Sequence, residues 1–378
     1  MISPTVVASF SLIAGNYQNA DSLFEVHKET AEIANHPITA RLLEQLNGVE
    51  IQGAILIAVG DNIIYHRFGG DLSLMDKEPI DRNTRFAIGS VSKQFTAAAL
   101  LQQLYRQGGM QNVKTALKQP ISTYLLPSHS IWGEHYPNWA DHVTLHHLLT
   151  HSSGLKDFTS DPAFENQKFN QTPHSPTEYL AIVRDQELSF EPGSDTLYSN
   201  TNYLLLAEIL HSLCGSDLSS YLNSLCNEIG MSNTWAPLSG SLDELRSLDD
   251  QLAGVVDSGG RPTLDNFSCA RGCGSLISTP QDLLKWNLAL HKYKTIVPDE
   301  IYQIMTTSYI NEEGYGIGVE STSRGTTILG HQGYLNGFES CLLYEPDSEV
   351  SIIVLSNSYK HHEQILEVVF RELDAPCS

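Results

Sequence analysis

Basic residues are scarce in this chain. Its 378 residues include 22 lysines and arginines against 44 aspartates and glutamates, giving a formal net charge of −22 at pH 7. Proteins that bind nucleic acid or anionic membrane surfaces use basic patches, because phosphate charge must be neutralised. The composition therefore argues against both kinds of partner, and we attribute the acidity to solubility.

Long apolar runs are also missing. No run reaches the roughly 18 residues that a membrane-spanning helix requires, so no membrane span is predicted. Residues 1–14 are apolar, as in a signal sequence, but lack the basic residues that open one. We expect a periplasmic or secreted protein if this segment is a signal sequence, and a cytoplasmic one otherwise.

Cysteine is sparse, and the motifs of several enzyme classes are absent. The six cysteines form no C-x-x-C pair, and Cys269 and Cys273 are too close in sequence to close a large loop. Most are predicted to be buried thiols, with one or two disulfides left open. The chain contains neither the H-E-x-x-H of zinc peptidases nor the G-x-S-x-G of α/β-hydrolases.

Strand patterns are concentrated towards the two ends of the chain. Apolar runs on either side of a Gly-Asp-Asn turn predict a β-hairpin over 52–68, and a helix is expected from Ser90 to about Gln107, before Gly108-Gly109. Further strands are predicted over the ranges 326–329, 337–344 and 350–355. Helices are predicted over the ranges 21–46, 180–184, 202–213, 218–229, 283–290 and 361–373, whereas 239–262 reads as irregular.

This distribution predicts an α/β fold of the α+β type, with an antiparallel sheet formed by both chain ends and flanked by helices. We expect residues 20–109 and 271–378 to form a discontinuous sheet domain. Residues 110–270 would be an inserted, mainly helical domain, and residues 1–19 an N-terminal extension or weak signal-like segment. A cleft is expected at the junction of the two domains.

Ser90-Val91-Ser92-Lys93 is the most informative motif of the sequence. A serine hydroxyl is a weak nucleophile at neutral pH and needs a neighbouring base. Residues three apart share one face of a helix, so the Lys93 amine can reach the Ser90 hydroxyl. If Ser90 opens the helix, its N–H group also points towards incoming negative charge. The motif alone is weak, because a helix cap followed by a solvated lysine gives the same pattern.

Other motifs decide between these two interpretations. Ser153-Gly-Leu-Lys156 repeats the S-x-x-K spacing in a sequence typical of a loop, which we regard as chance. Tyr198-Ser-Asn200 follows a Phe-x-Pro-Gly turn and precedes an apolar helix. His331-Gln-Gly333 ends a predicted strand.

Together these motifs resemble the serine β-lactamase and penicillin-binding protein superfamily, in its class C-like branch. S-x-x-K, Y-x-N and an H-x-G in place of K-T-G occur in the order of that family. The stretch from Thr144 to Leu155 resembles its H-L-L-T-H-T-S-G-L segment, and the stretch from Arg271 to Pro280 its G-G-L-x-S-T turn. The resemblance extends over roughly residues 52–358.

The resemblance implies a role for each motif residue. Ser90 corresponds to the acylated nucleophile, Lys93 to its activating partner and Tyr198 to the base or proton relay; either of the last two could take the serine proton. Asn200 would bind the substrate and hold Lys93. The backbone N–H groups of Ser90 and Tyr334 would form the oxyanion hole. The family implies no metal or other cofactor.

The departures from the family pattern bear on the substrate. Lactamases of the family usually carry Lys-Thr-Gly where this chain has His331-Gln332-Gly333, so a fixed cation and a hydroxyl are missing. We therefore expect a small ester, amide or peptide substrate, with carboxylesterase-like or D-amino-acid peptidase-like activity. A class C-type β-lactamase or D-Ala-D-Ala carboxypeptidase is the alternative, and a catalytically silent binding or assembly protein is the non-enzymatic one.

Three histidines, His146, His147 and His151, resemble a metal-binding cluster at first sight. They lie in the segment that matches a structural stretch of the family. We therefore expect them to make structural hydrogen bonds.

Overall fold

The structure of the protein is a computed structural model. It describes Leu42 and residues 44–165, 172–237, 239–257, 266–323, 325–335 and 337–374. The eight strands in these ranges are β1 Gly53–Val59, β2 Asn62–Gly69, β3 Phe86–Ala87, β4 Ile277–Ser278, β5 Gly318–Ser321, β6 Thr327–Leu335, β7 Phe338–Glu345 and β8 Val350–Ser356. The principal α-helices are α1 Ser92–Ala116, α2 Leu145–Leu149, α3 Pro162–Glu165, α4 Pro176–Ala181, α5 Asn200–Cys214, α6 Leu218–Glu228, α7 Leu242–Leu248, α8 Pro280–Asn287, α9 Asp299–Met305 and α10 Tyr359–Asp374.

Six strands form one antiparallel sheet in the order β2-β1-β8-β7-β6-β5. Strand β1, from the first part of the chain, lies between its hairpin partner β2 and the last strand, β8. Both chain ends therefore build the sheet, which confirms the predicted fold class.

Both faces of the sheet are buried at its inner strands β1, β7 and β8. Along β1, Ala54 and Leu56 join the large core on one face, whereas Ile55 and Ile57 join a second core on the other. This alternation follows from the period of two of a β-strand. The second core also contains Val369 of α10, so the closing helix covers one face. The opposite core, which contains much of α1 and α5, supports the site described below.

Several predicted elements are confirmed with small shifts. The hairpin, the strands near the C-terminus and the closing helix are present, and β6 is longer than expected. Helical geometry breaks at Gly108 and Gly109, where we expected the Ser90 helix to end, but a further helical segment continues to Ala116. The division into two domains stays a prediction.

Two local predictions were wrong. The range 239–262 was expected to be irregular, yet it contains α7, whose first turn is closed by a capping box between Ser241 and Glu244. The helix expected at 180–184 begins earlier, because Ser175 caps it and Pro176 occupies its first position. The predicted helix at 21–46 lies mostly outside the described residues, as do the apolar segment at 1–14 and the extension at 1–19.

Within the described ranges, no helix is both long and apolar enough to cross a membrane. The five cysteines in those ranges are free thiols, namely Cys214, Cys226, Cys269, Cys273 and Cys341.

Candidate active site

Ser90 lies in a single 3-10 turn, Gly89–Val91, and the α-helix proper begins at Ser92. Gly89 in this turn has a φ of 49°, which favours glycine. A Cβ atom on Gly89 would also approach the backbone oxygen of Tyr334 to 2.8 Å. The turn therefore packs closely on β6, and only glycine fits where the two backbones meet.

Lys93 lies one helical turn after Ser90 and is fully buried. Its Nζ atom donates hydrogen bonds to Ser90 Oγ at 2.9 Å, Asn200 Oδ1 at 2.8 Å and the carbonyl oxygen of Cys273 at 2.9 Å. The structure thus brings together three residues that are far apart in sequence around one amine.

The three partners of Lys93 differ in what they can do. The oxygens of Asn200 and Cys273 only accept, so each takes one N–H group of the amine. The third position faces the hydroxyl of Ser90. An ammonium group donates there, whereas a neutral amine directs its lone pair there and can accept the serine proton. The geometry therefore suits both states of a proton transfer.

The orientation of Asn200 is fixed by two residues that the sequence analysis did not identify. Its Nδ2 atom donates to Asp157 Oδ2 at 3.0 Å and to Thr159 Oγ1 at 3.1 Å. These contacts turn the amide oxygen towards Lys93. No motif marks Asp157 or Thr159; their only signal is that they closely follow the segment resembling the family.

Tyr198 is the second side chain that bonds with the nucleophile. Its hydroxyl donates to Ser90 Oγ at 2.6 Å, and Lys93 Nζ lies 4.8 Å from the centroid of its ring. The tyrosine precedes α5, with Ser199 in the extended N-cap conformation and Asn200 as the first helical residue. With 39% of its surface exposed, Tyr198 borders the open side of the site.

The backbone N–H groups of Ser90 and Tyr334, which we predict to form the oxyanion hole, belong to the turn Gly89–Val91 and to β6, and these two elements pack against each other. Strand β5 pairs with β6 only as far as Gly330, so Gly333 and Tyr334 lie beyond that pairing. A Cβ atom on Gly89 would lie 2.9 Å from the Tyr334 nitrogen. A Cβ on Gly333 would lie 2.1 Å from the carbonyl oxygen of Ile88, so this position also requires glycine.

The resemblance predicts that His331 replaces the lysine of the family's lactamases, and this histidine lies beside Tyr198. Its ring centroid lies 6.0 Å from that of Tyr198, and its Nδ1 atom contacts the carbonyl oxygen of Gln332. Burial, together with the Lys93 ammonium, lowers the pKa of His331 to about 4. The imidazole is therefore neutral at physiological pH.

The three histidines of the α2 region make structural hydrogen bonds, as expected. His146 bonds with the hydroxyl of Tyr315, and His147 closes the capping box of α2 with Thr144. His151 accepts from the backbone of Ser199, beside Tyr198. The location of His151 beside Tyr198 was not predicted from the sequence.

Comparison with known proteins gives a family match over most of the chain. The family profile described as Beta-lactamase matches residues 39–368. Penicillin-binding protein 4* of Bacillus subtilis (strain 168) is 24% identical over 338 residues, which cover 83% of this chain and 70% of that protein. The D-aminopeptidase of Gluconobacter oxydans (strain 621H) is 24% identical, over 81% of this chain but only 55% of its own length. The chain thus spans little more than half of that relative.

Solved structures share the fold. The octameric penicillin-binding protein homologue from Pyrococcus abyssi superposes with a TM-score of 0.70 and 25% identity, covering 89% of this chain and 76% of that one. The D-amino acid amidase from Ochrobactrum anthropi SV3 has a TM-score of 0.68 and 21% identity, covering 90% and 98% of the two chains.

Proposed function

The chain belongs to the beta-lactamase family, and from that premise we propose that this serine hydrolase forms an acyl-enzyme at Ser90 from small esters or amides. One observation carries the proposal: the Ser90 hydroxyl is hydrogen-bonded at once by the amine of Lys93 and the phenol of Tyr198. A serine used only as a helix cap would need neither partner.

The proposed reaction has two halves. Ser90 Oγ attacks the substrate carbonyl carbon, and its proton passes to Lys93 or Tyr198 as the new C–O bond forms. The carbonyl oxygen gains negative charge, which the N–H groups of Ser90 and Tyr334 would stabilise. The leaving alcohol or amine then takes a proton from the same Lys93–Tyr198 pair. Water completes the cycle by hydrolysing the acyl-enzyme with the same groups in reverse roles.

The charges around the site favour substrates without a carboxylate. Neutral His331 replaces the cation that lactamases of the family usually present, and the neighbouring Gln332 is exposed. An ionised substrate carboxylate therefore lacks a strong charge-assisted partner at this edge of the sheet. This supports ester or amide hydrolysis over β-lactam hydrolysis.

Glu313 places a carboxyl group near the same site, and because burial raises its pKa to about 7, it carries negative charge mainly above that pH. Glu313 is half-buried. Its segment contacts the chain just before Tyr198, because Asn311 Nδ2 donates a hydrogen bond to Thr196 Oγ1 at 2.7 Å. A Cβ on Gly316, in the same segment, would lie 2.6 Å from the carbonyl oxygen of Lys93. A carboxylate here attracts an ammonium group and repels a carboxylate. It supports amino-acid amides as one substrate class, in keeping with the names of the D-aminopeptidase and D-amino acid amidase relatives.

The test is a substrate panel with wild-type protein and Ser90→Ala. We expect hydrolysis of p-nitrophenyl acetate and of D- or L-phenylalanine amide, with kcat/KM values above that for nitrocefin, and no turnover by the variant. A wild-type protein that prefers nitrocefin would refute the proposed substrate class. Equal turnover by Ser90→Ala would refute the nucleophile itself.

A further inference from the structure

His151 holds the residues on both sides of Tyr198. Its carbonyl oxygen accepts a hydrogen bond from the backbone N–H of Leu197 at 2.9 Å, and its Nδ1 atom accepts one from the N–H of Ser199 at 3.1 Å. The imidazole also stacks on the Tyr198 ring, with centroids 4.4 Å apart and planes inclined by 29°. Tyr198 is therefore fixed through its preceding neighbour, its following neighbour and its own side chain.

The imidazole of His151 is itself held in one orientation. Asn202 Nδ2 lies 3.1 Å from Nδ1, while Asn202 Oδ1 accepts a bond from Ser153 Oγ at 2.6 Å. Because Nδ1 accepts from a backbone N–H group, the ring proton is on Nε2. His151 is only 1% exposed, and burial and the nearby Lys93 hold its pKa well below its usual range. The ring is therefore neutral and is hydrogen-bonded at Nδ1 to buried partners.

Tyr198 needs such a support more than a buried tyrosine would. It is more than a third exposed, yet its hydroxyl must lie within hydrogen-bond reach of Ser90. Displacing a reacting group by about 1 Å can cost on the order of a hundredfold in rate. A flat neutral ring against one face of the phenol restricts its rotation without adding charge to the site.

We propose that His151 is a positioning residue, whose stacked ring sets the phenol of Tyr198 against the Ser90 hydroxyl. The inference rests on the proposed catalytic role of Tyr198. It assigns to the histidine of the Thr-His-Ser-Ser-Gly segment a function in the reaction beyond its structural hydrogen bonds.

Two substitutions of His151 separate the effect of its aromatic ring from the effect of its hydrogen bonds. His151→Asn removes the ring but keeps an acceptor near the position of Nδ1, and asparagine tolerates the positive φ of 54° at this residue. His151→Phe keeps a ring but loses the acceptor and is strained at that φ. We therefore expect His151→Asn to be the more stable variant but the slower enzyme, with kcat for p-nitrophenyl acetate lowered about tenfold to a hundredfold and less change in KM.

A matched control is available in His291. This buried histidine also stacks on a tyrosine, Tyr344, with centroids 4.7 Å apart, and its Nδ1 bonds with the hydroxyl of Tyr302. His291→Asn should lose stability while its kcat stays within about twofold of wild type. The second readout is a double-mutant cycle, in which His151→Asn should lower kcat by less than about twofold in a Tyr198→Phe background.

The outcomes are distinct. The inference is overturned if the more stable variant is also the faster one, so that kcat is higher for His151→Asn than for His151→Phe. It is also overturned if His151→Asn lowers kcat by the same factor in the wild-type and Tyr198→Phe backgrounds. If His151→Phe does not fold, the double-mutant cycle with His151→Asn decides alone. If His151→Asn does not fold, His151→Phe replaces it in the cycle. In the Tyr198→Phe background, His151→Phe should then also lower kcat by less than about twofold. A Tyr198→Phe enzyme with wild-type kcat would overturn the proposed catalytic role of Tyr198 and this inference together, whereas equal losses in both backgrounds overturn only the inference.

Discussion

The Tyr198 hydroxyl lies 2.6 Å from Ser90 Oγ, although the two residues are 108 positions apart in the sequence. Ser90 belongs to a turn that packs on β6, whereas Tyr198 precedes a helix of the segment between the two sheet-forming parts of the chain. The contact joins these two parts of the molecule at the site where we propose that the reaction occurs.

The first prediction concerns the two partners of the Ser90 hydroxyl. Lys93→Ala and Tyr198→Phe should each lower kcat for p-nitrophenyl acetate by a hundredfold or more, the usual scale for an acid–base group, about 10²–10⁴. The double variant should lose far less than the product of the two effects, because the residues act as one unit.

Lys156→Ala is the matched control for Lys93. It removes the exposed lysine of the second S-x-x-K motif, whose serine is bonded to Asn202. Its kcat should stay within about twofold of wild type. Near-wild-type activity in Lys93→Ala or in Tyr198→Phe would show that the proton relay is wrongly assigned.

The second prediction concerns His331, which is neutral because burial and Lys93 lower its pKa to about 4. His331→Lys combined with Gln332→Thr supplies a cation and a hydroxyl to a substrate carboxylate. The ratio of the acylation rate constants for nitrocefin and p-nitrophenyl acetate should rise at least about tenfold. Deacylation is measured separately, because the two substitutions are aimed at the acylation step.

The same pKa gives a control in a Glu313→Gln background, where no carboxyl group titrates at that position. Between pH 5 and pH 8 the ratio for nitrocefin against the ester should stay low in this variant, because His331 does not gain a proton in that range. A ratio that rises steeply towards pH 5, or a double variant with an unchanged ratio, would contradict the role given to His331.

The third prediction concerns Glu313. Burial raises the pKa of its carboxyl to about 7, with a smaller opposing effect of Lys93. The folded protein thus holds this proton more tightly than the unfolded chain, in which the carboxyl has its ordinary pKa of 4.5. The contribution of Glu313 to stability is therefore present below about pH 4.5 and is lost as pH rises through about 7.

Glu313→Gln should accordingly raise the free energy of unfolding, relative to wild type, more at pH 8 than at pH 5, as measured by urea denaturation. At pH 8 it should also weaken the preference for phenylalanine amide over p-nitrophenyl acetate. Glu312→Gln, at the exposed neighbouring position, is the control. An identical pH dependence of stability in both variants would show that Glu313 does not titrate as described.

The sequence predicted the parts of the site that are local. Ser90 and Lys93 share one helical turn, and Tyr198 and Asn200 stand in a motif marked by a Phe-x-Pro-Gly turn before it and an apolar helix after it. Asp157, by contrast, acts on Lys93 only through Asn200, across a contact that exists only in the folded chain. The Cys273 carbonyl could not be predicted either, since a backbone acceptor leaves no side-chain signature.

The fold, too, was predictable where the sequence signal is local and not where it depends on contacts in the folded chain. Apolar runs identified the hairpin and the last strands, because β1, β7 and β8 are buried on both faces of the sheet. Helix α7 was missed because its polar composition hid a capping box at Ser241. The stacking of His151 on Tyr198 depends on tertiary packing that no spacing of residues encodes.

The central claim is that Ser90 is the residue that becomes acylated, and covalent labelling tests it most directly. The wild-type protein should react one-to-one with a fluorophosphonate probe, and peptide mass spectrometry should place the adduct on Ser90. Ser90→Ala should remain folded, because Ser90 is not the cap residue of its turn and its hydroxyl bonds with the side chains of Lys93 and Tyr198, and should stay unlabelled. An adduct on another residue, or equal labelling of folded Ser90→Ala, would contradict the account.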